Sequence, residues 1–246
     1  MKRFMLTIAY DGTAYSGFQI QKSCRTIEGE IKRCLSELLG EEVHIIGGSR
    51  TDAGVHALCN VAVFDSGTNI PAEKLSYAIN QRLPGDIRIM NSKEVPDDFH
   101  PRHCDTRKTY EYRIARGEFP VPTKRLYSYF TYHKLDLDKM QKAATFLEGE
   151  HDFKSFCAAA AVVESTVRTI YSITVSEENE DVVIQVCGNG FLYNMVRIIV
   201  GTLMDTGKGK WEPEGIRDIL NLRDRKAAGP TAPACGLTLI KYEFEG

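Results

Sequence analysis

Apolar and polar positions fall into short alternating runs, separated by stretches with helical periodicity, and the resulting order of elements occurs twice. Phe4–Tyr10 alternates as a strand. Thr26 is placed to N-cap a helix with Ile27, Ile31, Leu35 and Leu38 on one face and Gly40 just past its end. Val43–Ile46 and Leu58–Phe64 read as two further strands, and Asp65-Ser66-Gly67 as a turn. Pro71 suits the first turn of a second helix, with Leu75, Ala78, Ile79 and Leu83 inward. Asp86–Val95 closes the unit as a strand. The order is β-α-β-β-α-β, the ferredoxin-like split unit.

The second half opens with Thr106–Arg116, a strand with Tyr110, Tyr112 and Ile114 on one face. Leu126–Tyr132 is strand-like. Asp136–Leu147 is helical, with Met140, Ala144 and Leu147 inward. Val167–Ser176 and Val182–Gly188 read as strands around the polar turn Glu177–Asp181. Phe191–Met204 is a strongly apolar helix, Pro213–Leu222 a shorter one, and Leu237–Phe244 a final strand. Apart from one extra helix, this is β-α-β-β-α-β again. The repetition is of topology, not of sequence. The fold expected is α+β, with two ferredoxin-like halves, 1–104 and 105–246, whose sheets lie side by side around a cleft. The polar segment Pro96–Asp105 marks the boundary.

Composition narrows the class. The chain has 246 residues, is 43% hydrophobic and 26% charged, and carries a formal charge of −2, so global charge points to no nucleic-acid partner. A basic surface would have to be local, because phosphate binding answers to the local field. The seven cysteines are scattered, with no CxxC pair, which reads as free thiols in a reducing compartment. The opening MKRFMLTIAYDG is too short and polar for a signal peptide, and no run approaches a membrane span. A cytoplasmic protein without membrane contact is expected.

The chemistry concentrates in Gly48-Ser49-Arg50-Thr51-Asp52-Ala53-Gly54-Val55-His56-Ala57. This loop between two strands carries one carboxylate, Asp52, among small neighbours that let a large substrate approach, with Arg50 two residues away to favour the charged form. Taken alone, an Asp after Thr beside Gly also reads as a turn former or helix cap. There is no G-x-x-x-x-G-K-[ST] phosphate loop. Nothing marks Asp11 or Glu28 as the second carboxylate of a glycosidase, and His56 has no partner at metal-ligand spacing and reads as structural.

In Arg107-Lys108-Thr109-Tyr110-Glu111-Tyr112-Arg113, aromatic and basic residues interleave. Tyr110 reads equally as a stacking platform for a base or as a core residue, and Tyr112 as core. Upstream lie Phe99, His100, Pro101, Arg102 and His103. Arg102, Arg107, Lys108, Arg113 and Arg116 read either as a solvated run or as a phosphate track. Arg197, alone in an apolar helix, must pair with a carboxylate such as Asp52 or extend to solvent.

GGSRTDAGVHA closely resembles the active-site motif of the tRNA pseudouridine synthase A family. The resemblance extends to YDGTAYSGFQ (10–19), LPGDI (83–87), FHPR (99–102), KTY (108–110), FLYNMVR (191–197) and GLTL (236–239). The short length resembles the bacterial branch, whose substrates are uridines 38, 39 and 40 of the tRNA anticodon arm. The resemblance implies an isomerase, a homodimer, a tRNA partner, and no cofactor or metal. It makes Asp52 the nucleophile and Arg50 the residue that helps extrude the uridine. Tyr110 becomes the stacking tyrosine, Arg197 the partner of the nucleophile, and Leu237 a wall of the base pocket. Phe99 to His103, with Arg107, Lys108 and Arg168, become RNA contacts. One stretch departs: after His151–Phe156 the chain reads Cys157, four alanines, Val162, Val163 and Glu164, poor phosphate ligands, which leaves the RNA target open. A paralogue acting on another RNA, such as ribosomal RNA, and a non-catalytic RNA-binding or folding factor are the competing readings. The RNP1 string of the RNA-recognition module is missing.

Overall fold

In the computed structural model, which describes residues 1–158 and 164–245, the alternating face of Phe4, Leu6, Ile8 and Tyr10 is buried in the first strand, β1 (Lys2–Tyr10). Helix α1 (Ile27–Leu39) follows. The Thr26 hydroxyl accepts from the Gly29 N–H at 3.2 Å, Glu28 and Glu30 occupy its positive first turn, and Gly40 ends it in the left-handed region. Its buried face is Ile27, Ile31, Cys34 and Leu35, each large aliphatic there being worth roughly 1.5–3 kcal/mol of transfer free energy. Then come β2 (Ile45–Gly47), β3 (His56–Ser66), α2 (Ala72–Asn80) and β4 (Ile87–Val95). The strands lie in the order β4-β1-β3, with β2 also on β3. Every one of these pairs is antiparallel, with Phe4 opposite Phe64 and Ile45 opposite Phe64 on its other side. That is the ferredoxin-like arrangement.

Several boundaries differ from the periodicity, and β3 runs on through Asp65 and Ser66, where a turn is expected. Val43 is buried ahead of β2 rather than within it. Strand β3 starts at His56 and not Leu58, which shortens the loop that carries Asp52. Helix α2 ends at Asn80, so Leu83 packs from beyond it, and Pro71 stands outside as the extended cap residue.

The remaining elements are β5 (Thr106–Arg116), β6 (Tyr129–Thr131), α3 (Leu137–Thr145), β7 (Gly149–Asp152), β8 (Val167–Glu178), β9 (Asp181–Gly188), α4 (Met195–Gly207), α5 (Gly215–Leu222) and β10 (Leu237–Phe244). Strands β5, β9, β8 and β7 pair in that order, all antiparallel, and β6 runs parallel to β5. Strand β7, Gly-Glu-His-Asp, lies outside the elements the pattern predicts, because it has no apolar alternation. The expected strand Leu126–Tyr132 shrinks to three residues, since a helical turn at Pro122–Lys124 leads into it. Helix α4 begins at Met195, four residues later than the apolar run: Asn194 sits at φ +60°, which no helix interior accommodates. Arg197 is therefore in the helix's first turn.

Chain contacts gather into two compact units, Met1–Thr106 with Leu239–Gly246, and Arg107–Thr238. The division at 104/105 read from the sequence assigns all of β10 to the second half. In the first unit, Tyr242 and Phe244 of that strand pack with Ile46, Val95 and Phe99 against Met5, Val61 and Val63. Among the described residues, no helix is long and apolar enough to cross a membrane.

Candidate active site

The loop Gly48–Val55 leaves β2 and enters β3 already anchored. The Gly48 N–H donates to Val61 O at 2.7 Å, continuing the ladder for one more rung. The Val55 N–H donates to Asp52 O at 3.1 Å, closing a turn in which Gly54 sits at φ +77°. Thr51 O accepts from Phe18 N–H at 3.1 Å. Ser49 and Thr51 are buried, Arg50 is exposed and Asp52 is half-buried. The chain thus holds its neighbours down, with Arg50 exposed at the surface and Asp52 half-buried beside it.

The loop rests on the segment after β1. A Cβ at Gly12 would lie 2.0 Å from Val55 O, so only glycine allows this approach. The Gly12 N–H donates to His56 Nδ1 at 3.1 Å, and Asp11 Oδ1 is 3.2 Å from the same nitrogen. His56 is 4% exposed. Gly12→Ala must displace backbone on one side, and overpacking of that kind costs about 1–3 kcal/mol. The melting temperature is expected to fall by several degrees, at about 2–4 °C per kcal/mol for a chain of this size, with activity falling too. A variant that melts and turns over as the parent does would contradict this packing.

In the second unit, Tyr110 is 7% exposed and meets Phe191 edge-on, with centroids 5.3 Å apart. Tyr112 is core, as read: its ring is fully buried, its hydroxyl donates to Pro233 O at 2.8 Å, and burial pushes its phenol well up. Arg197 is half-buried. Its Nε donates to Ala232 O at 2.7 Å and its Nη1 to Asn194 Oδ1 at 2.8 Å, while the Ala232 N–H returns a bond to Arg197 O at 3.0 Å. The guanidinium is held at the helix start rather than trailing into solvent. Leu237, where the 229–236 loop runs into β10, is 4% exposed. Among the described residues, no group of three or more His, Cys, Asp or Glu could hold a metal ion.

A family model described as tRNA pseudouridine synthase matches residues 6–103 and 143–245. The chain is 48% identical over 245 residues to the tRNA pseudouridine synthase A of Thermoanaerobacter sp. (strain X514), covering 99% of this chain and 100% of that one. It is 46% identical over 244 residues to the protein of the same name from Acetivibrio thermocellus, with coverage of 99% and 100%. This chain belongs to the tRNA pseudouridine synthase family. One solved structure shows only a remote likeness. A chain from a Cbf5-Nop10-Gar1 complex aligns at a TM-score of 0.35 and 15% identity, over 82% of this chain and 54% of that chain, so this chain spans about half its length. The assignment to the tRNA pseudouridine synthases, a family of isomerases, stands on the sequence relatives.

Within the segment that resembles the synthases' RNA-contacting stretch, the side chains divide. Phe99 packs edge-on against Phe244 at 5.2 Å, and Pro101 is buried with its carbonyl accepting from the Tyr242 hydroxyl at 2.7 Å. His100 and His103 stack at 3.8 Å, and Arg102 is exposed. Burial first, then the charges of His103, Arg102 and Arg3, hold His100 below the usual imidazole range. Arg107 is exposed over the Tyr171 ring at 4.4 Å, and Lys108 is half-buried opposite Gly188. Arg168 gives Nη1 to Ser165 O at 3.0 Å and Val167 O at 2.6 Å, and burial lowers its guanidinium. Most of the alanine-rich stretch, residues 159–163, lies outside the described residues. Tyr10 and Asn60 lie in strands β1 and β3, and Thr51 in the loop between β2 and β3. Asn60 is the one amide in the otherwise apolar run Leu58–Phe64.

Proposed function

We propose that the protein isomerises uridine to pseudouridine in the tRNA anticodon arm, at one or more of positions 38, 39 and 40, with Asp52 as the reacting carboxylate. The observation that carries this reading is the loop Gly48–Val55, whose buried, hydrogen-bonded neighbours flank an exposed Arg50 and a half-exposed Asp52.

A uridine in a stem cannot offer its glycosidic bond to a carboxylate, so it is first flipped out. Arg50 braces the gap and Tyr110 stacks on the base. Asp52 then drives cleavage of N1–C1′ by attack at C1′, by addition at C6, or by proton removal from C2′. The uracil turns and rejoins through C5. The C5 proton leaves and N1 gains one, so the product is an isomer of the substrate. Leu237 walls the base in, and Arg197 holds Asp52 charged where water is scarce. His100, Arg102, His103, Arg107, Lys108 and Arg168 meet the RNA, with Phe99 and Pro101 supporting them from within. The same reading takes the working form to be a cytoplasmic homodimer.

The test uses purified protein and tRNA transcripts carrying tritium at uridine C5. Each pseudouridine formed releases one tritium to water. Release is expected when uridine occupies positions 38–40 and not when cytidine replaces all three. Release from ribosomal RNA alone would mean another target, and binding without release a non-catalytic RNA-binding protein.

A further inference from the structure

Beneath the Asp52 loop lies a buried polar network that the chemistry above does not use. Asn60 is 0% exposed in β3. Its Nδ2 donates to Ser49 O at 2.9 Å and to the Tyr10 hydroxyl at 3.0 Å. Its Oδ1 accepts from Val61 N–H at 2.8 Å and from Ser49 N–H at 3.2 Å. Both donors and both acceptor sites of the amide are filled. The Tyr10 hydroxyl continues the path to Thr51 Oγ1 at 2.7 Å. Tyr10 is buried at the end of β1, just past a register shift between Ile8 and Tyr10, and burial pushes its phenol up.

The amide stands where the sheet stops. Main-chain pairing runs from Gly47 opposite Ala62 through the Gly48–Val61 bond. At the next residue, the Asn60 side chain takes both the N–H and the C=O of Ser49 in place of a strand partner. An apolar side chain would fill the strand as well, so packing alone does not call for an amide. The result is a grip on Ser49 and Thr51, the two residues either side of Arg50, immediately before Asp52. A fully satisfied buried network of this kind is rigid.

We propose that Asn60, Tyr10 and Thr51 are positioning residues that fix the Asp52 carboxylate for attack, and so act on the rate of the chemical step rather than on RNA binding. This rests on the reading of Asp52 given above. Displacing a reacting group by an ångström costs up to about a hundredfold in rate, so loss of one link should be visible in kinetics.

The experiment compares Tyr10→Phe, Thr51→Val, the double variant, Thr51→Ser and Asp52→Asn. It reads the single-turnover rate at saturating enzyme, tRNA affinity and melting temperature. Tyr10→Phe and Thr51→Val should each slow the single-turnover rate about tenfold or more. Their tRNA affinity should stay within about twofold of the parent, and the double variant should be no slower than the slower single, because both cut the same path. Thr51→Ser, which keeps the hydroxyl, should recover most of the rate lost in Thr51→Val. Losses that multiply, losses seen only in affinity, or a lowered melting temperature with unchanged rate well below it would each overturn the proposal. An inactive Asp52→Asn beside fully active Tyr10→Phe and Thr51→Val would remove the positioning role alone. An active Asp52→Asn would remove the reading it rests on.

Discussion

Asp52→Asn leaves a folded protein that binds tRNA and forms no measurable pseudouridine. The amide has the shape of the carboxylate, and the main-chain turn from Asp52 O to Val55 N–H does not depend on the side chain. What is lost is the only charge able to attack carbon or take a proton in the proposed chemistry. Removing a reacting group of this kind costs on the order of 10⁴-fold or more. Affinity should change little, since RNA contacts are assigned to other residues. Single-turnover rates and a filter-binding isotherm on the same preparation check both halves of the statement. Normal turnover would remove Asp52 from the chemistry.

The second large effect is at Tyr110, where two substitutions separate ring from hydroxyl. Tyr110→Ala removes a buried ring that meets Phe191 edge-on. Base–aromatic stacking is worth about 1–3 kcal/mol, so the expected loss in rate runs from about fivefold to a hundred or more. The vacated volume also destabilises the unit, as large-to-small changes in packed sites do, so rate must be measured well below the melting temperature. Tyr110→Phe keeps the ring and should stay close to the parent. Equal loss in both variants would move the role from the ring face to the hydroxyl.

Much of this was legible in the chain because local pattern and fold agree. Strands β5 and β10 lie where alternation put them, and Thr26 and Gly40 bound α1 through the capping chemistry read from their types. The Asp52 loop was legible because it carries small and polar residues between two apolar runs. Other features depend on distant partners. Strand β7 is polar and exists because β8 pairs with it. Helix α4 starts late because Asn194 adopts a left-handed conformation, which an apolar run cannot announce. The return of Leu239–Gly246 to the first unit depends on contacts with residues nearly the whole chain away. The same holds for the site. Asp52 and Arg50 stand out by type and spacing, whereas Asn60 acquires meaning only when Ser49 and Tyr10 are seen to fill its amide. Phe99 and Pro101 sit in one string with His100, Arg102 and His103, yet only the packing separates those that turn inward.

Pseudouridine mapping of total RNA from cells with the protein, without it, and with only its Asp52→Asn form tests the central claim most directly. The account predicts pseudouridine at one or more of tRNA positions 38, 39 and 40 in the first, and its loss in the second and third. Unchanged tRNA maps in all three, or a signal restored by Asp52→Asn, would contradict it.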